Sequence, residues 1–230
     1  MKLVLKTLFT AAMMMLLTAV AASALPLLPD AVGIQAVGVT ATSNFGDIYV
    51  PERMIDQSDL SDSYVSGVTS TSVIDAFTNS NSGNGWHGSL LDTTGSITFD
   101  LGGVFTLDRV YLYWMNGGTA NNIADLAVQV SSDAGFGTFV TAATFGTPSA
   151  DRDRIDFSSL ATGQYVRLDW TSLQGEYPDQ YPGLNEFIAG GIAYIAPVPE
   201  VVPEAGSIEL MGIALAALAL AKRRLNKVLA

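Results

Sequence analysis

The sequence predicts an all-β fold: a single antiparallel jelly-roll β-sandwich, flanked by an N-terminal signal peptide and a C-terminal apolar helix. Segments rich in Val, Ile, Thr and aromatic residues recur between clusters of Gly, Asn, Asp and Ser, and no amphipathic helical stretch of useful length competes with them. The 230-residue chain has no cysteine, so a core of ordinary size must stabilise it without disulfides. These observations favour a sandwich or jelly roll.

The strands are predicted from alternation along the chain. In residues 163–172, polar side chains alternate with Val166, Leu168 and Trp170, which gives a strand one wet face and one dry face. The long polar stretch from Asp56 to Gly95 is expected to be a loop. About 160 residues suffice for one domain and are tight for two, so we predict one domain at 34–192. The predicted strands are 95–102, 109–115, 123–132, 137–145, 154–160, 163–172 and 183–195.

Residues 1–24 have the pattern of a secretory signal peptide. Lys2 and Lys6 precede an apolar run, and the small residues Ala22 and Ala24 form the pattern after which signal peptidase cuts. We therefore expect cleavage after Ala24 and a mature N-terminal lead at 25–33. The alternative is an uncleaved membrane anchor, although the apolar run is short for a span of about 20 residues.

A second apolar segment, 207–230, follows a linker at 193–206. Its apolar run, 207–221, reaches only about 22 Å as a helix, less than the roughly 30 Å of a bilayer's hydrocarbon core, and Glu209 lies within it. Basic residues at its end would stay on the cytoplasmic side, so the segment would hold an exported protein at the membrane. The alternative is an ordinary single-span anchor that is never processed.

The tail has three parts in a fixed order: Pro203 and Glu204, the apolar run, and a basic end with Arg223 and Arg224. This order resembles the PEP-CTERM sorting signal of Gram-negative bacteria, which an exosortase recognises, although Ala205 stands where a second proline is usual. The resemblance implies a sorting helix and a protein exported to the cell envelope or extracellular surface. Its processing partners would be signal peptidase and an exosortase-like enzyme.

The region between the two apolar segments is strongly acidic. Five of the 11 Lys and Arg residues and 21 of the 22 Asp and Glu residues lie in it, which gives a net charge of −16, and none of the five is a lysine. This region therefore has no positive footprint for phosphate backbones or a bare anionic lipid surface, and we expect no nucleic-acid partner. The charge suits a surface that resists self-association or collects divalent cations.

Six motifs occur in a fixed order: ERMIDQSDLS (52–61), Trp86, ITFDLGGVFTLDRVYLY (97–113), IADLAVQVSSD (123–133) with FGTF, QYVRLDW (164–170) and GLNEFIAGG (183–191). This order resembles the discoidin or coagulation-factor type C (F5/8 type C) domain, a galactose-binding-like jelly roll, over roughly residues 41–191. Gln57 stands where a Gly usually follows the Asp of the first motif, and the stretch from there to Trp86 is longer than usual.

In that family, ligand contacts come from loops at one end of the sandwich, where polar side chains and aromatic rings can meet a sugar. The resemblance therefore implies an extracellular polysaccharide or other glycan as the ligand. The candidate ligand contacts are His87, Trp114, Asn116, Arg152, Tyr177 and Tyr181.

Most of these candidates have a structural alternative. Trp114 could pack in the core, as we expect for Trp86 from its family position. Arg152 and Arg154 could pair with neighbouring aspartates on a solvated turn. His87, the only histidine, could be a solvated surface side chain.

The resemblance also implies a structural Ca²⁺. Related domains often hold it between a carboxylate of the first motif and one of the last strand, positions that correspond to Asp56 and Glu186. Backbone carbonyls of residues 57–61 would complete the six to eight oxygens that calcium prefers. Alternatively, Asp56 caps a turn and Glu186 is solvated. Zinc and iron sites are not expected without cysteine and with one histidine.

The sequence predicts no enzyme. It contains no G-x-S-x-G elbow, and nothing ties His87 to a nucleophile. The expected function is a non-catalytic cell-surface module that binds extracellular polysaccharide. The alternative is a structural surface or biofilm matrix protein with no specific ligand.

Overall fold

A computed structural model describes residues 27–80, 85–115, 123–148, 151–174 and 181–196. The chain divides into two compact units, Met1–Tyr194 and Ile195–Ala230, and every strand and helix among the described residues lies in the first. The strands are β1 Val32–Ile34, β2 Gly38–Ala41, β3 Trp86–His87, β4 Gly95–Trp114, β5 Ile123–Ser131, β6 Val140–Phe145, β7 Arg152–Leu173 and β8 Gly183–Ala193. The helices are a 3₁₀ helix, Pro51–Ile55, and a four-residue α-helix, Thr71–Ile74.

The two long strands, β4 and β7, build the sandwich because each contributes to both layers. The first half of β4 pairs with β2 and with the second half of β7, which continues to β5 and β6. The second half of β4 pairs with the first half of β7 and with β8, which also pairs with β1 and β3. All these pairings are antiparallel, so the predicted all-β antiparallel sandwich is confirmed.

Two predicted strand breaks are wrong. The segments predicted at 95–102 and 109–115 are one strand, β4, and those at 154–160 and 163–172 are one strand, β7. Glycine-containing stretches that read as turns are bends within these strands: Gly102 has a φ of 73°, which favours glycine, and the β4–β7 register shifts just after Asp100.

Aromatic rings join the two layers. Phe99 on β4 stacks on Phe187 of β8 with ring centroids 3.8 Å apart and an interplanar angle of 10°. Trp86 meets Trp170 edge to face at 6.1 Å, and both are buried. Such ring pairs stabilise the core beyond the contribution of the apolar area that the rings bury. The predicted core position of Trp86 is therefore confirmed.

The segment between the 3₁₀ helix and β3 is not the featureless loop that its polarity predicts. It carries the short α-helix and covers the outer face of β4 and β8 with a second apolar cluster. Its members are Leu60, Tyr64, Ile74, Phe77, Tyr111, Tyr113 and Ile188.

The two ends of the sandwich differ. At one end, which we name the bend end, β4 and β7 pass from one layer to the other near Phe105 and Gly163, which pair directly. At the opposite end, named the loop end, β2 and β6 finish, β5 and β8 begin, and β4 and β7 have both of their termini. Among the described residues, the connections at the loop end include 42–50, 88–94, 146–148 and 181–182.

The predicted signal peptide and the predicted sorting helix, including Ala24, Pro203, Glu204, Arg223 and Arg224, lie outside the described residues. Among the residues that the structure describes, none of the helices is long and apolar enough to cross a membrane.

Candidate functional site

Four aromatic rings meet at the loop end of the sandwich and form what we name the ring cluster: Phe45, Tyr49, His87 and Tyr181. The ring centroids of Phe45 and Tyr181 are 4.5 Å apart, and those of Tyr49 and His87 are also 4.5 Å apart. His87 lies edge-on to Tyr181 at 6.0 Å, and Phe45 lies 6.2 Å from Tyr49. The four rings therefore close a continuous aromatic surface.

Backbone pairing places these rings together. The N–H of Phe45 donates to the carbonyl of His87 at 2.8 Å, while His87 pairs with Gly183 at the start of β8, just after Tyr181. The N–H of Gly88 donates to the carbonyl of Pro182 at 2.8 Å. A Cβ on Gly88 would come within 2.5 Å of the Pro182 ring, so this close approach requires glycine.

The buried indole of Trp86 supports the cluster from below. Its Nε1 donates to the Ser43 carbonyl and to the Asn44 Oδ1, both at 3.1 Å. The hydroxyl of Ser43 bonds to Asp92 and accepts from the N–H of Ser89. These bonds tie the loop 42–50 to the loop 88–94 and fix the cluster on a rigid base.

The ring cluster is open to solvent on one side. Phe45 is 44% exposed, while Tyr49, His87 and Tyr181 are half-buried. Ile48 in the loop 42–50 and Leu91 in the loop 88–94 are 63% and 56% exposed. Leu91 also has a φ of 64°, a left-handed conformation that costs energy for a non-glycine residue. Exposed aromatic and aliphatic groups on a fixed loop end are the features of a ligand contact surface.

His87 is neutral over most of the physiological range. Burial lowers its pKa from 6.5 to about 4. Its Nδ1 is buried and has no hydrogen-bond partner among the residues that the structure describes. The imidazole therefore contributes a polar aromatic edge to the cluster and no positive charge.

Two predicted ligand contacts, Trp114 and Arg152, make contacts within the domain. Trp114 is fully buried, stacks on Phe145 at 6.2 Å and donates from Nε1 to an Asp153 oxygen at 2.6 Å. Arg152 donates from Nη1 to three carbonyls around the end of the short α-helix, at 2.9–3.2 Å, which are those of Ile74, Asp75 and Phe77. Trp114 is thus closed to solvent, while Arg152 is half-buried and bound to the main chain.

The other candidates have different outcomes. Arg154 forms the local pair that we gave as its alternative, with Asp156 at 2.7 Å, and adds a second pair with Asp75 at 3.0 Å. Tyr181 and His87 come together in the ring cluster. Asn116 and Tyr177 lie outside the described residues, so their predicted roles stay predictions.

In the predicted calcium pair, Asp56 lies within the first motif, and Glu186 lies on β8 and contacts that motif at Asp59. Oδ1 of Asp56 accepts the N–H of Ser58 at 2.8 Å, so Asp56 does cap a turn as the alternative expected. Gln57 in this turn has a φ of 64°, the left-handed conformation for which related domains use glycine at this position. Glu186 is only 1% exposed, so the alternative of a solvated Glu186 is wrong.

Glu186 lies in an acidic environment. Burial raises its pKa to about 9, with a further rise from the neighbouring carboxylates Asp56 and Asp59. Its Oε1 accepts the N–H of Asp59 at 3.4 Å. Within the described ranges, no group of three or more acidic, His or Cys side chains is arranged to hold a metal ion. Hard oxygen donors are present, and a calcium ion here would need backbone carbonyls as well.

A separate open cleft of about 430 Å³ lies on the outer face of β5, β6 and β7. Ala127 forms its floor between Thr144 and Asp169, which lie opposite it on the neighbouring strands. Asp125 at its rim has a φ of 46° and accepts the hydroxyl of Ser172 at 2.7 Å. The cleft has two carboxylates in its lining and adds to the negative charge of this part of the domain.

The chain belongs to the F5/8 type C domain family, which matches residues 39–182. The resemblance predicted from the six motifs is therefore confirmed. No curated protein matches the chain closely enough to count as a relative.

Several solved structures are similar to the chain. A fragment of a putative chitobiase from Bacteroides thetaiotaomicron has a TM-score of 0.53 at 15% identity and covers 75% of this chain and 98% of its own. A chitosan-binding module of a chitosanase/glucanase from Paenibacillus sp. IK-5 is 25% identical with a TM-score of 0.48, covering 68% of this chain and 96% of its own. A family 32 carbohydrate-binding module from Clostridium perfringens, in complex with galactose, is 13% identical with a TM-score of 0.49. It covers 70% of this chain and 98% of its own.

Phe45 and Tyr49 were not among the predicted ligand contacts. The only signal was two aromatic residues four positions apart in a short loop with Gly46 and Asp47. Their proximity to His87 depends on pairing between β3 and β8, which are far apart in sequence and include a two-residue strand. A two-residue strand is too short to show the alternation from which a strand is predicted.

Proposed function

We propose that the protein is a non-catalytic glycan-binding module, exported and held at the cell surface, in which the ring cluster at the loop end contacts an extracellular polysaccharide. The observation that carries this proposal is the closed set of four rings, with Phe45 exposed and supported by a rigid hydrogen-bonded base. In this family, loops rather than strands carry the ligand contacts.

The chemistry of the cluster suits a sugar. The C–H face of a pyranose is apolar and packs on an aromatic ring, for which Phe45 and Tyr181 provide surfaces. Polar groups around them, including Asn44 and Ser89, can bond sugar hydroxyls at the edge. His87 stays uncharged, and its imidazole can exchange one hydrogen bond with a hydroxyl.

Affinity for a single sugar unit is expected to be weak, with a Kd of about a millimolar, because an open loop-end surface buries little ligand area. Retention on a polymer would then come from many protein copies acting on many repeats of one chain. The experiment that tests the proposal is retention of the purified full-length protein, in detergent, on a panel of polysaccharides and on the producer's own matrix. Loss of retention in Phe45→Ala with an unchanged melting curve would support it.

The sorting signal in the tail belongs to the same proposal. After export, residues 207–221 would hold the protein at the membrane, with Arg223 and Arg224 on the cytoplasmic side, until an exosortase-like enzyme acts near Pro203 and Glu204. This route would place many copies of an acidic, glycan-binding domain on one surface, which is what weak single-site binding requires.

Calcium is the proposed structural ion. Asp56 and Glu186 would hold it together with carbonyls of the turn 57–61, and its positive charge would offset the carboxylates that crowd around Glu186. When bound, it would fix the turn that leads from the 3₁₀ helix into the covering segment.

A further inference from the structure

We propose, resting on the glycan-binding function proposed above, that the open cleft on the outer face of β5, β6 and β7 is a second sugar subsite, so that one polysaccharide chain contacts the ring cluster and the cleft together. Three features of the cleft support this: its shape, a half-buried carboxylate in its lining, and the strand register that relates it to the loop of Phe45.

The cleft is formed where one row of the sheet carries a small side chain. In this row Thr144 lies opposite Ala127, Ala127 lies opposite Asp169, and Asp169 lies opposite Ser96. Because Ala127 has only a methyl group, the outer face is concave there, and the cleft of about 430 Å³ opens above it. Small-molecule sites have volumes of about 300–1,000 Å³, so a sugar ring fits this space.

The carboxylate of Asp169 lines the cleft and is available to a ligand. It is half-buried, and among the residues that the structure describes no donor bonds to it. Arg167, two residues earlier on the same face, donates from Nε to Oε1 of Gln129 at 2.9 Å instead and lies over the ring of Phe136 at 4.2 Å. Because a half-buried carboxylate is more stable when donors bond to it, Asp169 offers two acceptor oxygens to the hydroxyl groups of a sugar.

The rim of the cleft at Asp125 is fixed by three hydrogen bonds. The N–H of Asp125 donates to the carbonyl of Gly146 at 2.9 Å, and its own carbonyl accepts the hydroxyl of Thr171 at 3.2 Å. Its side chain accepts the hydroxyl of Ser172 at 2.7 Å. The lining therefore combines fixed carboxylates, threonine hydroxyls and an alanine methyl group, which match the hydroxyl and C–H groups of a sugar.

Strand register relates the cleft to the ring cluster. The N–H of Thr42, the first residue of the loop 42–50, donates to the carbonyl of Ser96 at 3.0 Å, so the row continues into the loop that carries Phe45. Neighbouring strands lie about 4.8 Å apart, so the three steps from the floor of the cleft to Thr42 span roughly 14 Å. A polymer bound at the ring cluster therefore holds its next units at a high effective concentration near the cleft.

Asp169→Asn and Ala127→Gln are the variants that test the cleft. Asp169→Asn removes one acceptor oxygen without breaking a hydrogen bond of the described domain, and Ala127→Gln places a longer side chain in the cleft. The matched controls are Asp30→Asn, at an exposed aspartate just before β1 at the bend end, and Ala76→Gln, at an exposed alanine after the short α-helix. All four should have melting curves close to wild type, and Asp169→Asn decides the test if Ala127→Gln fails to fold.

The probe is the polysaccharide of the panel above that retains the most wild-type protein. The purified full-length protein, in detergent, is titrated with the monosaccharide of that polymer and with its size-fractionated oligosaccharides. We expect wild type to bind the longer oligosaccharides at least about tenfold more tightly than the monosaccharide, because they bridge both subsites. Asp169→Asn and Ala127→Gln should each weaken oligosaccharide binding by about threefold or more and leave monosaccharide binding unchanged, while the controls should change neither.

The failures of the two proposals are distinguishable. Unchanged oligosaccharide affinity in Asp169→Asn and Ala127→Gln, when wild type binds, overturns the second subsite and leaves glycan binding in place. An equal loss for monosaccharide and oligosaccharides also overturns it, since the cleft would then not be a separate subsite. No retention of wild type on any polysaccharide of the panel or on native matrix overturns the proposed function itself.

Discussion

The ring of Phe45, in the loop after β2, lies 4.5 Å from the ring of Tyr181, just before β8, with an interplanar angle of 56°. The two loops meet because Phe45 donates its N–H to the carbonyl of His87, and His87 pairs with the first residue of β8. The ring cluster is thus a product of the sheet's pairing, and substitutions that leave the sheet intact can test it separately from stability.

Trp86→Ala should destabilise the domain by about 3–5 kcal/mol, because it removes a fully buried indole that packs on Trp170 and supports the loop 42–50. Thermal and urea unfolding would measure the loss. Phe139→Ala is the control, since Phe139 is 47% exposed at the bend end and its removal should cost less than about 1 kcal/mol. Similar stability for the two variants would contradict the core role of Trp86.

Arg152→Gln should lower stability by about 1–3 kcal/mol, because three carbonyls around the short α-helix lose a charged donor. Glycan retention should not change, since Arg152 does not face the ring cluster. A variant that folds as well as wild type but loses retention would restore Arg152 as a ligand contact.

The calcium proposal predicts a stability profile that depends on pH and on the ion. The folded-state pKa of Glu186, about 9, lies above its ordinary value of 4.5, so in chelator its contribution to stability is full below pH 4.5 and is lost as pH rises towards 9. Calcium should oppose that loss, because it binds the ionised carboxylate of the folded state.

Glu186→Gln and Asp56→Ala are the variants for this test. In chelator, Glu186→Gln should remove the fall in stability between pH 4.5 and 9. Both variants should show no increase in melting temperature with calcium. Asp30→Asn, which lies at the other end of the sandwich, should behave as wild type. If calcium leaves the wild-type melting curve unchanged at every pH from 5 to 9, there is no calcium site.

The tail proposal predicts that the full chain is found on the surface of intact cells of a Gram-negative host with an exosortase. Deleting 207–230 should release the domain from the membrane fraction, and Arg223→Gln with Arg224→Gln should weaken its retention there, because the basic end halts transfer. Antibody detection on intact cells and fractionation measure this. A full chain found only in the cytoplasm would contradict it.

The layers of the fold could be predicted because β4 to β8 are long enough to show alternation and because clear turn residues lie between them. The passage of β4 and β7 between layers could not be predicted. Glycines such as Gly102 and Gly103 are typical both of a turn between two strands and of a bend within one strand. Strands β1 to β3 have two to four residues each, too few to show a period of two.

The site was predicted only where a residue's own type carried the information. Tyr181 and His87 stood out as aromatic or titratable residues at loop positions. Trp114 looked the same in sequence, but its position at the end of β4 directs the indole into the core, where Asp153 satisfies its N–H. Phe45 became part of the site only through pairing between distant segments.

Retention of Phe45→Ala and Tyr181→Ala on polysaccharide, compared with Phe139→Ala, tests the central claim most directly. Phe45 and Phe139 are 44% and 47% exposed, so truncating either removes a similar amount of exposed aromatic surface at opposite ends of the domain. We expect Phe45→Ala and Tyr181→Ala to lose about tenfold or more in retention, equal to roughly 1.4 kcal/mol, with melting curves close to wild type. Phe139→Ala should bind as wild type does. Equal retention of all three variants and wild type on a polysaccharide that the protein binds would show that the ring cluster is not the site.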